Sequence, residues 1–277
     1  MRVVHERCVG LDVHKKTVVA CVLITDEDGR VHKQVRTFST MTGDLLALSD
    51  WLEGLGVTHI AMESTGVYWR PVYNLLEGED CTVILVNAQH IKAVPGRKTD
   101  VKDAEWIADL LRHGLLRASF IPPAPIRTLR ELTRYRKSLM KDRTQEVNRL
   151  HKVLETANLK LGMVATDILG VSGRDMIEAM MGGEQDPEVL ADLARGKLRK
   201  KLPELRRALE GRLLAHQRVL IGQILAHIDF LEGSIERLQA EIDQALAPFE
   251  GEMELLQTIP GVGQTVAAAI VAEIGVD

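Results

Sequence analysis

The stretch RCVGLDVHKKTVVACVLITDEDG, residues 7–29, contains two apolar runs from which the fold can be read. RCVGLDV and TVVACVLI are rich in β-branched residues and are separated by three polar ones; DEDG at residues 26–29 then reads as a turn. A third run, KQVRTFS, follows closely, so the three predict an antiparallel meander. Two later runs, THIAMES and TVILVNA, alternate with helical segments near residues 42–54, 67–77 and 100–114. Strands that first form a meander and then alternate with helices predict a mixed α/β sheet over residues 1–120.

IPPAPIR, residues 121–127, is a rigid, proline-punctuated break, and strand signals vanish after it. Residues 127–160 read as helix, with Leu129, Leu132, Leu139, Val147, Leu150 and Leu154 on an imperfect apolar face. Between Arg127 and Lys152 nine Lys/Arg stand against three acidic residues, a local surplus of six. Residues 160–205 are punctuated by glycines and say little. A long helix is expected from about Glu204 to Ala247, closed by Pro248. Ile221, Ile228, Ile235 and Ile242 fall at heptad position a; Ile224, Leu231, Leu238 and Ala245 fall at d. That is the pattern of a parallel two-stranded coiled coil. The alternative keeps the seam inside the monomer, against the helix that begins at Arg127. In ELLQTIPGVGQTVAAAIVAEIGVD the PGVG turn between two helical runs resembles a helix-hairpin-helix. There Gly261 and Gly263 would let the backbone approach a phosphate. The apolar helix ending at Asp277 leads us to expect a fragment of a longer protein, with 121–250 as a helical, basic and coiled-coil region and 251–277 as the start of a further domain.

Composition sets broad bounds. With 277 residues, 45% hydrophobic and 27% charged, the chain is an ordinary globular one. No apolar run approaches the ~20 residues that cross a bilayer, and MRVVHERCVG lacks the pattern of a secretory signal. Cys8, Cys21 and Cys81 lie in strand-like runs without CxxC spacing, which argues for buried thiols in a reducing cytoplasm and against disulfides or zinc. A net charge of -4 does not advertise nucleic-acid binding.

Four acids stand out. Asp12 in VGLDVHKK and Glu63 in IAMESTG each lie where an apolar strand turns polar. Asp100 and Asp103, in KTDVKDAEW, lie three apart on one helix face. Taken singly, Asp100 reads equally as a helix N-cap and Asp103 as a first-turn charge on the helix dipole. Together they offer hard oxygen donors from separate elements, as magnesium requires, and two such ions about 4 Å apart suit phosphodiester transfer.

The motifs GLDVHK, ESTG and KTDVKDAEWIADLL, followed by IPGVGQTVAAAIVAEIG, resemble the DEDD transposases of the insertion-sequence one-ten family. The resemblance implies a ribonuclease-H-like, RuvC-like catalytic domain with Asp12, Glu63, Asp100 and Asp103 as catalytic Mg2+ ligands. It also implies a coiled-coil connection, which would make a homodimer or higher oligomer, and a C-terminal transposase domain. The implied partners are DNA, as element ends and target, and a structured guide RNA. The family's C-terminal serine nucleophile has no counterpart here, and none is transferred to another serine.

Around the acids, Arg97, Lys98 and Lys102 read either as a phosphate clamp or as charge balance. His14 and Lys15 read as phosphate contacts or a solvated turn. Tyr68, Trp69 and Tyr73 read as base-stacking or as core. Arg130, Arg134 and Lys137 on the basic helix make the best nucleic-acid surface in the sequence. GRKT is not the end of a P-loop, because the required glycine is Ile91. A sugar kinase would need a second glycine-rich phosphate segment, which is absent. A RuvC-type structure-selective nuclease would need neither the coiled coil nor the hairpin-like tail. A truncated, inactive nucleic-acid-binding relative is the remaining alternative.

Overall fold

The computed structural model describes residues 2–64, 66–78, 81–93 and 102–276. The chain forms two compact units, Met1–Ile121 and Pro122–Asp277.

In the first unit, β1 (Arg7–Val13), β2 (Thr17–Thr25) and β3 (Val31–Ser39) form the meander. They are followed by α1 (Thr42–Gly54), β4 (His59–Glu63), α2 (Trp69–Leu76), β5 (Thr82–Val86), α3 (Ala88–Ala93) and α4 (Asp103–Arg112). The sheet order is β3-β2-β1-β4-β5; β1, β2 and β3 pair antiparallel, whereas β1/β4 and β4/β5 pair parallel. This is the mixed α/β sheet that the strand pattern predicts. Side chains alternate across it. Val9, Leu11 and Val13 join Leu45, Leu48 and Leu52 of α1 and Val72, Tyr73 and Leu76 of α2 in one core. Cys8, Cys21, Leu23 and Ala61 join Ile107, Ala108 and Leu111 of α4 in the other. Both faces are therefore covered, which explains why β1 and β2 read as near-continuous apolar runs.

Gly10 sets the spacing of one layer. A Cβ there would run into the carbonyl oxygen of Ala104 and the amide nitrogen of Ala108, and would lie 3.0 Å from Ala108 Cα. The α4 backbone thus rests directly on β1, where the lack of a side chain admits it. Cys8 and Cys21 are fully buried beside this contact. Burial pushes their thiols up to about 12 and about 11, so both are inert, while Cys81 is half-buried.

The second unit is all helix among the described residues: α5 (Ala124–Thr156), α6 (Leu161–Val164), α7 (Val171–Met181), α8 (Pro187–Asp192), a 3-10 turn (Gly196–Lys201), α9 (Leu202–Ala208), α10 (Ala215–Leu246), α11 (Glu250–Gln257) and α12 (Gln264–Ile274). The start of α5 (Ile126, Leu129) meets the end of α10 (Ile242, Leu246), and its end (Leu150, Leu154) meets the start of α10 (Ile221, Leu225). The two long helices therefore pair antiparallel.

One expectation is corrected here. The helix expected from Glu204 is broken between Ala208 and Ala215, because Gly211 passes tightly over the Asn158 and Ala157 carbonyls, where a side chain would not fit. The heptad seam is packed within the chain at its two ends, where Ile221 and Ile242 share cores with α5; Ile224, Ile235, Leu238 and Ala245 are only partly buried. Among the described residues no helix is long and apolar enough to cross a membrane.

Replacing Gly10 with Ala is expected to destabilise the protein by about 2–4 kcal/mol in urea unfolding, the upper range for overpacking against backbone. Gly43→Ala, at a helical site with open space around it, should instead be neutral or stabilising by up to about 1 kcal/mol.

Candidate metal centre

Parallel pairing carries β1 and β4 side by side through Leu11↔Met62, so Asp12 and Glu63 are the next residues on adjacent strands. Asp12 shares the face of Cys8 and Gly10, and Glu63 that of Ala61, which is the face α4 covers. Cys8 lies against Ala108, and Gly10 against Ala108 and Ala104, so α4 advances toward its own N-terminus as β1 advances toward Asp12. Asp103, the first residue of α4, is thereby carried to the end of β1 where Asp12 stands.

Asp12 records the convergence electrostatically. Burial raises its pKa above the ordinary aspartate range; His14 opposes this, and the charges of Asp103 and then Glu63 reinforce it. His14 Nε2 lies 3.1 Å from Asp12 Oδ2. Asp12 and Glu63 are half-buried, and Asp103 is exposed. Among the described residues no three His, Cys, Asp or Glu side chains close into a ready-made ion cage. The three acids meet within electrostatic reach, not at ligand spacing. Asp100, Arg97 and Lys98 lie outside the described residues. Lys102 is exposed as the N-cap of α4, without a side-chain capping bond.

The donor set fits a hard divalent cation: carboxylate oxygens only, from two strand ends and one helix start, one of them held in an environment that disfavours its own charge.

Other expected contacts have different positions. Tyr73 is buried in the core with Trp69 edge-on at 5.7 Å, whereas Tyr68 is exposed. Arg130 Nε donates to the Ala272 carbonyl at 2.9 Å and its Nη2 to the Glu273 carbonyl at 2.6 Å, so it caps the end of α12. Arg134 forks onto the Glu273 carboxylate at 2.8 and 2.7 Å and holds its pKa down. Lys137 is exposed, with Glu273 within range of its charge. Gly261 adopts φ 88° in the turn between α11 and α12; both it and Gly263 face open space.

Sequence reasoning missed three features in and around the centre. The Asp12–His14 pair was visible only as proximity in the chain. The Gly10 seat of α4 had a signal, a glycine inside an apolar strand two residues before the acid. The Lys33–Glu105 ion pair, 3.0 Å long and 72 residues apart in sequence, had none; it ties β3 to the first turn of α4.

The sequence profile of the IS110-type DEDD transposases, described as a transposase, matches residues 9–159. An insertion element IS116 protein of 44.8 kDa from Streptomyces clavuligerus is 31% identical over 172 residues, which span 54% of this chain and 39% of that protein's length. T. thermophilus RuvC, solved in complex with a Holliday junction substrate, aligns over 42% of this chain and all of its own at 11% identity, with a TM-score of 0.28.

A carboxylate with a raised folded-state pKa contributes stability that is present at low pH, below its unfolded value, and is lost as pH rises through the folded one. At neutral pH without metal, Asp12→Asn should therefore stabilise the fold by about 1 kcal/mol, the usual gain from relieving a strained functional site. The same variant should lose the rise in melting temperature that Mg2+ gives the parent. Thermal unfolding at several pH values, with EDTA or Mg2+, checks both.

Proposed function

The chain belongs to the IS110-type family of DEDD transposases, and we propose that Met1–Ile121 is a ribonuclease-H-like unit that cleaves and transfers DNA strands with Mg2+. The observation that carries this reading is the convergence of Asp12, Glu63 and Asp103 on one end of the sheet, held by parallel register on one side and the Gly10 contact on the other. The matched profile runs through all of these positions.

In this reading Asp12, Glu63, Asp103 and Asp100 hold the metal. When bound, Mg2+ activates the attacking oxygen and stabilises the leaving one in phosphodiester chemistry. The chain's own residues do the rest. Asp12 and Glu63 fix the floor of the site because each ends a hydrogen-bonded strand. His14, whose Nε2 lies 3.1 Å from Asp12 Oδ2, orients that carboxylate. Lys102, exposed beside Asp103, would hold the scissile phosphate, with Arg97 and Lys98 as the further clamps the sequence offers.

The proposed substrates are the ends of a mobile element and its target DNA, and a structured guide RNA is the proposed partner. These, like full transposition, are properties of a longer assembly: the match spans about two fifths of the length of the curated relative. A RuvC-type nuclease acting on branched DNA is the second reading. The same carboxylates would serve it, and family membership favours the transposase.

Asp12→Asn and Asp103→Asn should each reduce Mg2+-dependent cleavage of a DNA carrying the element ends by more than about a hundredfold, beyond the cost of losing an outer-shell partner. Both should keep the parent circular dichroism spectrum. Cleavage at the parent rate by either variant refutes the assignment.

A further inference from the structure

The segment RGKLRKK, residues 195–201, packs five cations and no acid into seven positions of a chain whose net charge is -4. It folds as the 3-10 turn before α9, with only Leu198 turned toward the core. At three residues per turn and about 2.0 Å rise, Lys197 and Lys200 lie on one ridge about 6 Å apart along the axis. Arg195 is tied to Asp175 at 2.7 Å, and Lys201 donates to the Val164 carbonyl at 3.1 Å. Lys197 and Lys200 are exposed and have no carboxylate within ion-pair distance among the described residues. Such crowding of like charge costs stability, and among the described residues no carboxylate offsets it at these two lysines.

The turn forms one wall of a solvent-open groove of about 640 Å³. The opposite wall is Val164–Asp167 and the start of α7, Gly170–Gly173. Its lining is rich in donors. Arg195, Lys197 and Lys201 supply three cations. The Ser172 hydroxyl accepts from the Arg195 amide at 2.9 Å and keeps its own proton to donate. The first amides of α7 carry no side-chain cap. The one acid, Asp167, is already engaged, its Oδ1 accepting from the Leu169 amide at 2.9 Å. A concave surface of this kind, extended by an uncompensated lysine ridge at its rim, suits a row of phosphates better than a single small anion. The span from Lys197 to Lys200 covers about two phosphates of one strand, at about 3.4 Å each.

We propose that this groove and its lysine ridge grip the phosphodiester backbone of a nucleic acid, as a contact separate from the carboxylate centre and independent of base sequence. The proposal rests on the transposase reading for the presence of nucleic acid, and deepens it by assigning a gripping surface to the second unit. DNA and RNA share the chemistry, and the experiment separates them.

The full chain is titrated into a labelled DNA duplex and into a single-stranded RNA, by fluorescence anisotropy across a salt series. Lys197→Gln with Lys200→Gln should weaken binding on the order of tenfold at 0.1 M salt and lower the log–log salt slope by about 1.8 for duplex or about 1.4 for a single strand. A loss with the duplex alone assigns the groove to DNA, a loss with RNA alone assigns it to RNA, and a loss with both assigns it to the backbone they share. An unchanged slope with both polymers overturns the proposal. So does an equal loss in the charge-matched control Arg30→Gln with Arg237→Gln, or failure of the parent to bind either polymer. Asp12→Asn runs in parallel with cleavage as its readout: cleavage lost only in that variant, with the lysine pair silent, refutes the groove and leaves the metal centre standing. The opposite pattern refutes the metal centre and leaves the groove.

Discussion

The contact between Gly10 and the backbone of α4 is the constraint on which the first unit depends. Helix and strand approach more closely than any side chain would allow, so α4 is fixed in height and direction over β1. That closeness seals the core containing Cys8, Cys21 and Ile107. It also brings Asp103 to the same end of the sheet as Asp12 and Glu63. The cost of this arrangement is visible in Asp12, whose charged form is disfavoured by burial and by its acidic neighbours. A protein under selection for stability alone would have little reason to keep three acids there; a cation would turn the same crowding into binding energy.

The second unit solves a different problem, that of holding two helices of more than thirty residues side by side. Apolar seams do most of it, and charge fixes the register. Arg143 pairs with Glu232 at 2.5 Å, and the buried Glu146 takes Arg149 from its own helix and His227, at 3.1 Å, from the facing one. Arg130 and Arg134 are spent in the same way, on the end of α12. The basic surplus of α5 is therefore partly structural. Charge reversal at Arg130 or Arg134 would disturb the docking of α12 along with any nucleic-acid contact, so neither is a clean probe of binding.

The legible parts of the sequence were those in which local pattern and tertiary role coincide. Five strands could be read because β-branched runs between turns have few other uses, and Asp12 and Glu63 because each follows such a run at its polar end. The heptad seam of α10 could be read as a seam but not assigned a partner, since isoleucine and leucine at a and d pack equally against a helix of the same chain or of another. The break before Ala215 depended on Gly211 meeting carbonyls more than fifty residues earlier, which no local pattern records. Helix α3 was too short to show a period. Residues 160–205 were silent because Gly162 and Gly173 serve close contacts with His151 and Ile168, and their cations line a groove whose other wall is some thirty residues away.

Charge in this chain is segregated by chemistry, and the net value of -4 conceals it. In the first unit Asp12, whose charge burial disfavours, stands within electrostatic reach of Asp103 and Glu63, so the excess there is negative and local. In the second unit two populations of cation coexist. One is neutralised by specific carboxylates and carbonyls and holds helices together. The other includes Lys197 and Lys200, which have no carboxylate within ion-pair distance among the described residues; Lys197 lines a donor-rich groove. In the proposed function a phosphodiester backbone answers each excess separately: its phosphates would pair with the lysines, and its phosphate oxygens would complete the ligands of a hard cation on the carboxylates.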